Sequence, residues 1–218
     1  MSIWLAVGMT GTADGPQIVT EGSGWHEQVA DRAELDLGFT ATARTRTDAV
    51  RELGRRVAVV EPHLAHAGLE VRHRRLWVHN EWRGRRVVGC RAGEDIAVRV
   101  VDVDVLEDVL SALIGAEPST LNGPHWVLAD PTAAHREAQR AAVADARRRA
   151  EGYAEALGGQ LGALRGLTEV PEHGGIAYRA AAVMESAAGP DVRDLGLEPE
   201  PVRVTARCTT HWLLLTLS

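Results

Sequence analysis

Asp130–Gly159, DPTAAHREAQRAAVADARRRAEGYAEALGG, is the stretch around which the chain is organised. It predicts one long helix with both ends marked. Asp130 is placed to cap the N-terminus, and Pro131 suits the first helical position, where a missing N–H has no intrahelical partner. Gly158 and Gly159 supply the left-handed residue that stops a helix. Between them Ala138, Ala142, Ala146, Ala150, Tyr153 and Leu157 recur every three or four residues as a narrow apolar stripe. A stripe made mostly of alanine lets a helix lie close on a sheet. The other faces are charged, and Asp145–Arg149 and Arg147–Glu151 are opposite charges four apart, each pair adding a few tenths of a kcal/mol.

Working outward, Gln17–Gly24 reads as a short strand ending in glycines and Gln28–Ala43 as a longer one. In the latter, Ala33, Leu35, Leu37, Phe39 and Ala41 alternate with polar residues, so one face is in a core and one in water. Thr45 or Thr47 opens a helix with the stripe Ala49, Leu53, Val57, Val60 and Leu64, closed by Gly68. Pro62 lies in that pattern and predicts a kink or break near Ala58. Strands follow at Val71–Glu81 and Arg85–Asp102, joined through Trp82-Arg83-Gly84, with Gly93 a candidate bulge. Asp104 and Glu107 resemble a capping box for a helix with Leu106, Val109, Leu110 and Leu113 inside and Gly115 as its stop. Pro124–Ala129 and Gln160–Val170 read as strands, 171–201 as a long mobile loop, and Val202–Leu217 as a final strand.

From Gln28 to Ala129 the order is β-α-β-β-α-β, the ferredoxin-like arrangement. The expected class is α+β: a ferredoxin-like unit over 26–130, inserted in a second α+β unit built from 1–25 and 131–218.

The 218 residues carry a net charge of −6, which argues against a nucleic-acid binder that works by bulk charge. All 24 basic residues are Arg, which excludes catalysis through a Lys amine. Cys90 and Cys208 fall on inward strand positions and make neither a disulfide framework nor a zinc site. The apolar run Ile3–Met9 lacks a basic flank and is too short to span a bilayer. The expected location is cytoplasmic, or exported if the true start lies upstream.

Several pieces, in order, resemble the SIMPL domain family. They are Val19-x-x-Gly22-x-Gly24; Ala41-x-x-Arg44 through Ala49; Leu64-x-x-Ala67-Gly68-Leu69; and Ala97–Asp102. The longest is Ala138-x-x-Ala141-x-x-x-Asp145-Ala146-x-x-x-Ala150, with Ala154-x-x-Leu157-Gly158 and Leu161-Gly162 after it. Cys90 stands where the family usually has an aromatic, and Trp126–Asp130 replaces its usual aromatic and Ser-Asp pair. The resemblance implies an envelope or periplasmic protein linked to oxidative-stress tolerance, a large ring-like homo-oligomer, or a signalling adaptor. It implies no catalytic residue set.

His63 and His66, three apart on a helix, have the spacing of two metal ligands, with His73, Glu61 or Glu70 as candidate thirds; a solvated or capping role is the plainer reading. Gly22-Ser23-Gly24 follows a strand but precedes another, so it reads as a tight turn rather than a phosphate loop. Nothing places a base beside Cys90. The carboxylates Asp102, Asp104, Glu107 and Asp108 are explained by a helix start. Arg72, Arg74, Arg75, Arg83, Arg85, Arg86 and Arg91 surround Trp77 and Trp82, a pattern that serves single-stranded nucleic acid or a protein interface. The acidic total favours the interface. The expectation is therefore a non-enzymatic homo-oligomer or adaptor without cofactor, catalytic group or nucleic-acid partner. Its contact residues are Trp77, Trp82, Arg83, Arg85 and Arg86, with Trp212, Leu213 and Leu215 on the last strand.

Overall fold

The computed structural model describes residues 15–171 and 196–216. The described elements are β1 (Gln17–Val29), β2 (Arg32–Ala43), α1 (Arg46–Leu64), β3 (Leu69–Arg83), β4 (Arg86–Val100), a 3-10 turn (Val103–Val105), α2 (Leu106–Gly115), β5 (Thr120–Val127), α3 (Thr132–Ala156), β6 (Gly159–Glu169) and β7 (Pro201–Thr216). The class is α+β, with two antiparallel sheets ordered β1-β7-β6 and β3-β4-β2-β5. The chain divides into two compact units. Among described residues, 15–27, 131–171 and 203–216 form one, and 28–130 with 196–202 the other. The expected loop at 171–201 lies mostly outside the described residues.

In the three-stranded unit, α3 lies on β1 and β7. Its buried residues are Ala134, Ala138, Ala142, Ala146, Ala150 and Ala154, an unbroken ridge of every fourth residue. Tyr153 and Leu157, expected on the stripe, are exposed. The reading fails there because the alanine ridge keeps the strict four-residue step while Tyr153 and Leu157 sit one residue to the side of it. Pro131 occupies the cap position, one residue later than expected, and its carbonyl accepts from the His135 N–H at 2.8 Å. Gly158, at φ 71°, ends the helix as predicted.

Gly22-Ser23-Gly24 is not a turn. The strand runs through it to Val29, and both glycines face α3. A Cβ on Gly22 would stand 2.6 Å from the Ala146 nitrogen and 2.7 Å from its Cβ, and closer still to the Ala142 carbonyl oxygen. A Cβ on Gly24 would overlap the Ala138 carbonyl and the Ala142 nitrogen. Two strand residues advance about 6.6 Å and four helix residues about 6 Å, so G-x-G and A-x-x-x-A step nearly together. Strand backbone and helix backbone therefore touch twice. Toward the other end of α3 the partners are larger: Ala150 and Ala154 meet Ile18, Trp212 and Leu214.

One buried chain of hydrogen bonds crosses this interface. Trp212 Nε1 donates to Thr210 Oγ1 at 2.9 Å, and the two threonine hydroxyls are 3.1 Å apart. Thr20 Oγ1 donates to the Ala146 carbonyl at 2.8 Å. Each hydroxyl has one proton, so with Thr20's spent on Ala146 the link between threonines runs from Thr210 to Thr20. Thr210 also lies 3.2 Å from the Thr20 carbonyl, a second acceptor for the same proton. At the surface Asp145 accepts from the Ser23 N–H at 3.2 Å and pairs with Arg148 and Arg149, each at 3.1 Å.

In the four-stranded unit the buried alternation on β2 is as expected: Ala33, Leu35, Leu37, Phe39 and Ala41. β2 starts at Arg32 rather than Gln28, because β1 runs on to Val29. On β4 Ala92, Ile96, Val98 and Val100 share the core, and α1 covers β2 and β4 with Ala49, Leu53, Val57, Val60 and Leu64. Thr45 caps α1, its hydroxyl accepting from the Asp48 N–H at 3.1 Å. Pro62 does not divide the helix, which continues to Leu64. It sits in the last turn, where one lost hydrogen bond interrupts little that follows. The cap before α2 is Asp102, accepting from the Asp104 N–H at 3.1 Å, not Asp104. Beyond α2 the left-handed residue is Glu117, φ 51°, rather than Gly115.

Candidate functional site

α1 covers one face of the four-stranded sheet; the other is polar. Register places its residues in rows across the strands. One row is Arg99–Glu34–His125; the next His73–Ala97–Asp36–Asn122; the next Arg75–Asp95–Gly38–Thr120; then Trp77–Gly93–Thr40 and His79–Arg91–Thr42. The outer rows are neutralised in place. Arg99 reaches Glu34 through Nη2 at 2.6 Å and Nε at 3.1 Å, and Arg91 reaches Glu81 at 3.2 Å. Between them is a depression of about 200 Å³ lined by Asp36, Gly38, His73, Asp95, Ala97, Thr120 and Asn122, with Leu37 and Ile96 beneath.

Gly93 is not a bulge. It pairs in register with both Trp77 and Thr40, and a Cβ there would stand 2.8 Å from Trp77 Cη2 and overlap two further indole carbons. The glycine gives the Trp77 ring a bare stretch of backbone to lie on. His79 stacks on that ring at 5.1 Å between centroids. The bulges of this sheet are elsewhere, between Val71 and His73, between Glu81 and Trp82, and between Glu34 and Asp36 against β5.

The β3–β4 hairpin turns at Gly84, φ 62°, and extends past the last β2–β4 pair, Ala43↔Cys90. Trp82, Arg83, Arg85 and Arg86 are exposed on this arm with Val87 and Val88; Trp77 is half-buried. The last strand divides the other expected contacts. Trp212 is buried in the core with Ile18, Ala150, Ala154 and Leu214, so it anchors the fold rather than a surface. Leu213 is half-buried and Leu215 exposed on the opposite face. Trp25 is also exposed there, with the Arg203 guanidinium 4.5 Å from the centre of its ring and bonded to Glu27.

His63 and His66 line a second depression, about 170 Å³, with Pro62, Ala65, Asp108, Val109 and Ala112. His66 Nδ1 accepts from the Gly68 N–H at 3.1 Å, a capping role. The candidate third ligands go elsewhere: His73 to the polar sheet face, Glu61 to Arg74 at 2.8 Å, and Glu70 toward Arg72. Among the described residues no three His, Cys, Asp or Glu converge as metal ligands. Cys90 is buried and its Sγ lies 3.3 Å from Asn80 Oδ1. Burial pushes the Cys208 thiol above its usual pKa, so it stays protonated and unreactive near neutrality.

The sequence marks Asp36 only as part of a solvated face. It misses Thr120 and Asn122 because β5 begins at Thr120, ahead of the strand expected from Pro124. Gly123 and Pro124 within that strand mask it as a loop.

No helix among the described residues is long and apolar enough to cross a membrane, which says nothing of spanning strands. No curated protein matches the chain. Residues 18–212 match SIMPL, described as a protein of unknown function (DUF541). The match begins at the strand whose glycines touch α3 and ends at Trp212, which packs beneath that helix. With nearly the whole described chain inside that match, the protein belongs to the SIMPL family.

Proposed function

We propose that this SIMPL-family chain is a non-enzymatic protein of the cytoplasm that works as a homo-oligomeric assembly or as an adaptor for a protein partner, in a setting of stress tolerance. The observation that carries the reading is the β3–β4 arm. Trp82 is 62 % exposed at its tip, with Val87 at 49 % and Val88 at 54 %, flanked by Arg83, Arg85 and Arg86. Contiguous apolar surface on a projecting hairpin is costly in water, and Trp and Arg are the residues that anchor interfaces. Leu213 and Leu215 add a second apolar strip on the last strand.

The four-stranded unit is ferredoxin-like on this reading. The order β3-β4-β2-β5 with all neighbours antiparallel supports it, since a split βαββαβ chain places its first and third strands in the middle. The unit over 26–130 is then a domain inserted in a second one made from both chain ends.

Light scattering of the purified chain at high micromolar concentration tests the assembly. The expected mass is a multiple of 23.5 kDa, lowered by Trp82→Ser together with Val88→Ser. A strict monomer that also captures no partner through the arm overturns the proposal.

A further inference from the structure

The depression on the polar sheet face takes no part in the assembly reading, and its chemistry is specific. We propose that it is a binding site for a short aliphatic diamine, whose two ammonium groups are held by Asp36 and Asp95 and whose methylenes lie over Gly38 and Ala97.

Charge is the first reason. On either side of the depression the carboxylates of this face are matched by cross-strand arginines, Glu34 by Arg99 and Glu81 by Arg91. Among the described residues the side chains of Asp36, Asp95 and His73 form no hydrogen bond or ion pair, although Arg75 stands opposite Asp95 in register. The sheet neutralises itself everywhere along this stretch except where it is concave.

The second reason is how the backbone is shaped there. Two of the three register shifts in this sheet flank the depression, one immediately before His73 on β3 and one beside Asp36 where β5 turns toward Asn122. Bulges bend a strand and re-aim its side chains, and they gather beside sites. Between them Gly38 leaves the floor open: a Cβ there would collide with the Thr120 hydroxyl, which leans across β2.

Spacing selects the ligand. Asp36 faces Ala97 and Asp95 faces Gly38, so the two carboxylates are diagonal neighbours, about 7–8 Å apart at the backbone. That separation suits two positive charges joined by a short chain better than one point ion. The absence of three converging metal ligands among the described residues agrees. Thr120 and Asn122 offer further acceptors on the β5 side, and the hydrogen of Gly38 and the methyl of Ala97 are the apolar floor.

Putrescine, titrated into the whole chain at low salt and followed by backbone amide NMR, tests the site. Shifts are expected to centre on Gly38, Ala97, Thr120 and Asn122. Asp36→Asn and Asp95→Asn should each weaken binding at least about threefold, the scale of an exposed ion pair, and butylamine should bind more weakly than putrescine. Both carboxylates are exposed, so the variants should keep the parent melting temperature. If a variant does not fold, the butylamine comparison on the unaltered chain decides alone. The proposal is overturned by silent amides, by unchanged affinity in folded variants, by butylamine binding as tightly as putrescine, or by calcium saturating the site where putrescine does not.

Discussion

In the four-stranded unit, helix meets sheet through large side chains: Phe39, Leu35, Ile96, Val98 and Val100 below, Leu53, Val57 and Val60 above. In the three-stranded unit, helix meets sheet through almost none, with an alanine ridge resting on Gly22 and Gly24. The first kind of contact stabilises by apolar area removed from water, roughly 25 cal/mol per Å². The second has little side-chain area to bury and depends on backbone fit and on the polar bonds it encloses. The two kinds differ in what they tolerate. A bulky core re-packs around a volume-conserving change; a backbone contact has no rotamer to adjust.

Substitution at the two interfaces is the most severe way to break that contrast. Gly22→Ala should cost about 3 kcal/mol or more in urea unfolding, because its Cβ meets main chain and α3 must lift as a whole. Leu37→Met, a fully buried change of similar volume in the other unit, should cost under about 1.5 kcal/mol. Equal costs would erase the distinction. Next comes Thr210→Val, similar in shape but without the hydroxyl. It strands the Trp212 indole N–H inside the protein and should cost about 1–3 kcal/mol. No loss on that change would mean that the buried chain is ornamental.

The smallest effect is a matter of pH. The Ser23 N–H first, then Arg148 and Arg149, hold the Asp145 carboxyl below its usual pKa. A depressed folded pKa contributes stability that is present above the unfolded value, near 3.8, and is lost as pH falls through the folded value. The stability gap between the parent and Asp145→Asn should therefore be constant near neutrality, under about 1 kcal/mol for so exposed a pair, and should close below about pH 4. A gap that widens in acid would remove Asp145 from the interface.

Much of this was legible before any coordinates. The caps of α1 and α3, the alternation on β2 and β7 and the stripe of α1 follow from local rules and hold in the structure. What failed failed for one reason: a glycine says that space is needed, not by whom. Gly22, Gly24 and Gly93 read as a turn and a bulge because those are the uses a single strand can reveal. Their occupants, α3 and Trp77, come from residues far along the chain or across a hairpin. The same blindness hid the polar depression, which exists only once β3, β4, β2 and β5 stand side by side. Trp212 was misplaced to the surface because a strand apolar on both sides does not disclose which side receives the helix.

Because the ridge on α3 repeats without variation, it works like a ruler with identical marks. Sliding β1 along it by one helical turn would set each glycine against the next alanine pair and present the same profile. Shape alone leaves adjacent alignments nearly degenerate. The marks that differ are polar: the hydroxyl of Thr20 finds the carbonyl of Ala146, and the carboxylate of Asp145 finds the amide of Ser23. Those two bonds act as detents, selecting one alignment out of several that van der Waals contact would accept.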